Sequence, residues 1–121
     1  MKKKKDSVKR DKEVSKVIKQ SFDDILLELK FYRYLGFVIY EARKEKQITQ
    51  LHLANMMNIS RRKLGEIENG VRQPKLYEVL KLIHLIGIDY QDIIRYGIKL
   101  LEERDIKIRS NKNVNKNKQR R

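Results

Sequence analysis

Arg61, Arg62 and Lys63 stand in a row and are followed at short spacing by Glu66 and Glu68, within the stretch SRRKLGEIENG. Ser60 is a favourable N-cap and Asn69-Gly70 a favourable stop, so the stretch predicts a short helix over 61–68. Its charges run against the helix dipole. Three cations occupy the first turn, where the dipole is already positive, and the carboxylates lie towards its negative end. Each misplaced charge costs about 0.3–1 kcal/mol. Cations held at a helix N-terminus suit an anion that the free chain does not contain, because dipole and side chains then act together. Glu68 is misplaced only if it lacks a cationic partner.

The elements around this stretch must hold it in place. Thr49 caps a helix over about Gln50–Met57, and Asn58 falls between the two helices, where a tight turn favours a residue that tolerates positive φ. Leu53, Met57, Ile59, Leu64 and Ile67 supply the apolar positions that bury the pair, and the small Ala54 allows close approach. Residues 50–69 therefore read as a helix-turn-helix unit. Upstream, Val14, Ile18, Phe22, Ile25 and Leu29 recur at spacings of three and four. Ser21-Phe22-Asp23-Asp24 resembles a capping box and predicts a break, giving one short helix near 8–20 and another from Ser21. Gly36 is the only further break signal before the helix that ends near Lys46. Downstream, a loop holds the single proline, Pro74. A helix with Leu76, Val79, Leu80, Ile83 and Ile86 on one face then ends at Gly87, and Asp89 caps the last helix. No segment alternates long enough for a strand, so the expected class is all-α.

The chain has 121 residues and a net charge of +14. Residues 1–20 carry +6 and residues 105–121 carry +6, leaving +2 in the middle. The expected organisation is a basic disordered arm over 1–12, an additional helical segment over 13–34, a helix-turn-helix domain over 35–104 and a basic disordered tail over 105–121. Such a charge points to an anionic partner, nucleic acid or an acidic membrane surface. There is no cysteine, which excludes a disulfide framework and a cysteine metal site. No run approaches the roughly 18 apolar residues of a membrane span, and no apolar segment follows MKKKK as in a signal peptide. No membrane association is expected, and the location is expected to be cytoplasmic. His52 and His84 have no ligand-spaced neighbours, no serine lies in a nucleophile elbow and no glycine-rich phosphate loop occurs. Neither enzymatic activity, metal nor cofactor is expected.

In sum of motifs the chain resembles the phage-repressor, Cro/Xre-like helix-turn-helix proteins. The resemblance spans about Leu35 to Ile94 and rests on Leu35-Gly36, Arg43, ITQLHLA, NIS, EIENG, RQP and Ile86-Gly87-Ile88 in order. It implies a lambda-repressor-like five-helix domain, here with an extra N-terminal helix and basic flexible tails. It makes 61–68 the recognition helix in the major groove of double-stranded DNA. Arg61, Arg62 and Glu66 match base-reading positions. Gln50 matches a phosphate contact and Asn69 a backbone contact, and Ser60, Lys63 and Arg72 are assigned to the DNA backbone beside them. Arg43 and Glu68 match an internal ion pair. Arg61 and Arg62 could fork onto guanine O6 and N7. Glu66 could accept from cytosine N4, face away, or brace Arg62 at i, i+4, the last being favoured. Gly65 either permits close approach to DNA or is neutral.

The leading expectation is a sequence-specific transcriptional regulator that represses by occupying promoter DNA, as a homodimer because one short helix reads few base pairs. Two alternatives stand beside it. One is an antitoxin-type protein that binds a toxin through 13–34 and autoregulates its operon. The other is a nonspecific nucleic-acid binder driven by its basic ends.

Overall fold

The computed structural model describes the backbone of residues 2–119 and the side chains of residues 9–110. The chain forms five helices: α1 (Lys2–Glu45), α2 (Gln50–Met57), α3 (Arg61–Glu68), α4 (Leu76–Ile86) and α5 (Tyr90–Gln119). Among the described residues there is no strand.

α1 differs from the expectation in two ways. It runs through Ser21–Asp24 and Gly36 without a break, so 13–34 is a stretch of the first helix and not an additional one. It also starts at Lys2, in the segment expected to be a disordered arm, and α5 likewise continues through 105–119. The reason is local. The only proline is Pro74, so no residue of α1 or α5 removes a helical N–H or clashes with the preceding turn. Serine and glycine weaken a helix by about 1 kcal/mol or less each, which does not end one flanked by good helix formers.

Residue contacts divide the chain into two units, Met1–Lys30 and Phe31–Arg121. The first is the N-terminal part of α1. In the second, Leu35 and Ile39 of α1, Leu53, Ala54 and Met57 of α2, Leu64 and Ile67 of α3, Leu82 and Ile86 of α4, and Ile88 and Ile93 form one buried cluster. Burying each large aliphatic side chain contributes about 1.5–3 kcal/mol. Gly36 lies where α1 crosses the end of α3. A Cβ there would collide with the carbonyl oxygens of Ile67 and Glu68, so this glycine serves a close crossing and not a helix end.

The inward face of α4 also differs from the expected one. Leu82 and Ile86 are buried, with Val79 and Ile83 packed beside them, whereas Leu76 and Leu80 are exposed. The face is set by the i, i+3, i+4, i+7 series from Val79 to Ile86.

A candidate nucleic-acid interface on α2 and α3

Two local caps build the helix pair. Thr49 Oγ1 accepts from the backbone N–H of His52 at 3.1 Å, opening α2. Asn58 closes it at φ 57°, and the N–H of Ile59 returns to the carbonyl of Ala54 at 3.0 Å. Ser60 Oγ then accepts from the N–H of Lys63 at 3.0 Å and restarts the chain as α3. The residues that satisfy the turn's backbone groups are therefore those that the sequence supplies at 49, 58 and 60.

A buried ion pair fixes the far end of α3. Arg43 Nε and Nη2 each donate to Glu68 at 2.9 Å, and Nη1 donates to the carbonyl of Ile48 at 2.9 Å. Both residues are buried, at 6% and 7% exposure. The fork geometry suits guanidinium and carboxylate, and one guanidinium ties α1, the loop before α2 and α3 together. The hydrogen bonds to Glu68 outweigh burial and raise the Arg43 pKa above its ordinary value. Gln50 Nε2 adds a long 3.4 Å contact to Glu68 Oε1.

The outer surface of α3 is held more loosely. Arg61 is exposed, and its Nε donates to Gln50 Oε1 at 3.4 Å. Arg62 Nε donates to Glu66 Oε1 at 3.2 Å, with the arginine side chain 90% exposed. The loop after α3 folds back, the N–H groups of Val71 and Arg72 donating to the Glu66 carbonyl at 2.9 and 3.2 Å. That brings Arg72 Nη1 to 3.5 Å from Glu66 Oε2. Asn69, also exposed, ends the helix, and Gly70 follows at φ 74° against the backbone of Arg33. Gly65 lies under Gln50: an added Cβ would sit 3.4 Å from its amide nitrogen, an ordinary contact.

The structure thus brings these residues into two groups around α3: Arg62 and Arg72 share Glu66, while Arg61 meets Gln50, which leads on to Glu68; Ser60 and Asn69 stand at the two ends of the helix. It sets Lys63 apart. Lys63 Nζ lies 2.8 Å from Glu78 Oε2, so its ammonium is directed to α4. Burial alone would raise the Glu78 pKa. The hydrogen bond from Lys63 and the one from the N–H of Lys75 outweigh it and hold the carboxyl below its ordinary value. Glu78 was not singled out from the sequence. Its one signal is the glutamate three residues after Lys75, half of a capping box without the usual serine or threonine.

Among the described residues no group of His, Asp and Glu could hold a metal, and no helix is long and apolar enough to cross a membrane.

Two capped helices, the second presenting exposed arginines at its N-terminal end, define a DNA-binding module of the helix-turn-helix class. Residues 36–96, half of the chain, match the family described as a helix-turn-helix domain, and the chain belongs to that family. It is 33% identical over 69 residues to the ImmF control region 10 kDa protein of Bacillus phage phi105, covering 57% of this chain and 77% of the relative. Two crystal structures of the clp gene regulator ClgR from Corynebacterium glutamicum share the fold. One gives a TM-score of 0.51 at 18% identity over 67% of this chain and 87% of ClgR. The other gives 0.50 at 22% identity over 57% and 88%. The chain is a DNA-binding transcription regulator.

Proposed function

We propose that the protein represses transcription by occupying promoter DNA, with α3 in the major groove. The observation that carries this reading is the state of Arg61 and Arg62. Both are exposed at the capped N-terminus of α3 and are held only by long or surface contacts. An exposed ion pair is worth about 0.2–1 kcal/mol, whereas a bidentate arginine–guanine contact gives about 1–3 kcal/mol of discrimination. Exchanging one for the other on DNA is therefore favourable. Arg61 and Arg62 read base edges in this account. Gln50, Ser60, Asn69 and Arg72 hold the phosphate backbone. Glu66, with one oxygen towards Arg62 and the other towards Arg72, positions those arginines and does not itself read cytosine. Lys63 serves α4.

Arg43 and Glu68 keep α3 fixed on α1, which makes the register of the arginines definite. The basic ends add affinity without sequence preference, each phosphate contact steepening the salt slope by about 0.9. A dimer doubles the bases read. The name of the phage relative, which refers to a control region, supports a role in transcriptional control.

The test is a reporter gene driven by a promoter carrying a selected binding site. Gln50→Ala should weaken binding to all sequences about equally, and Arg61→Ala or Arg62→Ala should relieve repression with a loss of about 1–3 kcal/mol on that site. Full repression by the two arginine variants would overturn the reading.

A further inference from the structure

Residues 14–29 of α1 leave an apolar stripe open. Val14, Val17, Ile18, Phe22, Ile25, Leu26 and Leu29 are 42–62% exposed. The stripe has an internal symmetry. Reversing the sequence about the point between Ser21 and Phe22 exchanges Val14 with Leu29, Val17 with Leu26 and Ile18 with Ile25. The charges are arranged oppositely. Residues 9–20 hold five cations and two carboxylates, a net of +3, whereas residues 21–30 hold one and three, a net of −2.

We propose that this stretch pairs antiparallel with the same stretch of a second copy of the chain. A two-fold axis perpendicular to the helix turns each helix end for end, so a self-complementary surface must read alike in both directions. The stripe does at six of its seven apolar positions, the seventh, Phe22, falling opposite Ser21 beside the axis. The charges decide between the two orientations. Antiparallel pairing sets the basic half of one copy beside the acidic half of the other. Parallel pairing sets basic against basic and acidic against acidic, which is unfavourable for neighbouring helices. The span of 14–29 is about 24 Å of helix, more than four turns, enough to remove the whole stripe from water. The pairing supplies the dimer on which the function above draws. It is tested without DNA, so either reading can fail alone.

The full chain contains no cysteine, so single cysteines report the pairing directly. On mild oxidation, Ser21→Cys and Phe22→Cys should form disulfide-linked dimers. Val14→Cys and Leu29→Cys should not, each alone, but should cross-link when mixed. In sedimentation the unsubstituted chain should be a dimer, and Ile18→Glu/Ile25→Glu a monomer that still melts cooperatively, at a midpoint independent of chain concentration. Self-cross-linking of Val14→Cys and Leu29→Cys as readily as Phe22→Cys would show parallel pairing and overturn the proposal. A monomeric unsubstituted chain, or a dimer that survives Ile18→Glu/Ile25→Glu, would overturn it as well.

Discussion

Two stretches of α1 carry apolar residues at the same helical spacing and meet different ends. Leu35 and Ile39 are 2% and 0% exposed, packed against α2, α3 and α4, whereas Ile18 and Phe22 are 62% and 59% exposed. Periodicity tells that a helix has an apolar face. It does not tell what covers that face, because the covering residues lie elsewhere in the sequence or on another molecule. The charged residues repeat the contrast: Arg43 is buried in a fork with Glu68, while Arg62 shares Glu66 at the surface.

The largest effect expected from this contrast is on folding. Ile39→Ala should cost about 2–5 kcal/mol, the loss typical of a large aliphatic side chain truncated in a core. Ile18→Ala should change stability by less than about 0.5 kcal/mol when the chain is dilute enough to be monomeric. Denaturant melts of the two variants measure both, and equal losses would erase the distinction between the stretches.

The buried ion pair should give an effect of comparable size. Glu68→Ala leaves the Arg43 guanidinium buried without its partner and should cost about 3–5 kcal/mol. Glu66→Ala, at the surface, should cost less than about 1 kcal/mol. The Arg43→Ala/Glu68→Ala double variant should lose less than the two single losses added together. Strict additivity would count against the fork as a fixed tie between α1 and α3.

The pair between Lys63 and Glu78 should give the smallest effect, and one that depends on pH. Because the folded protein holds the Glu78 carboxyl below its ordinary value, its contribution is fully present at pH above the ordinary glutamate range. It is lost as pH falls through the lower folded pKa. Glu78→Gln should therefore be less stable than the unsubstituted chain near neutral pH, the difference shrinking in acid. Thermal melts from pH 3 to about pH 7 measure it. A difference that grows on acidification would contradict the assignment.

How far the molecule was legible in its sequence follows the same division between local and distant causes. Thr49, Asn58, Ser60, Gly87 and Asp89 marked helix ends correctly because a cap acts within one turn of itself. The helix-turn-helix unit, being two such helices and their turn, was readable with its bounds. Ser21–Asp24 and Gly36 misled because the same residue types cap a helix only if the chain turns there, and nothing nearby makes it turn. Gly36 answers to the carbonyls of Ile67 and Glu68, more than thirty positions away. The same holds for Lys63: its charge was read from the first turn of α3, but its partner Glu78 lies on α4. The inward turn of Leu82 in place of Leu80 depends on where α4 packs, which spacing within α4 leaves open.

The central claim is that Arg61 and Arg62 read bases. Selection of binding sites from a random duplex library, run side by side with the unsubstituted chain, Arg61→Ala and Arg62→Ala, tests it most directly. The account predicts a motif with guanine contacts for the unsubstituted chain, and loss of preference at one base pair per half-site for each variant, the other positions being retained. The same motif recovered by all three proteins, or no motif recovered by the unsubstituted chain, would contradict it.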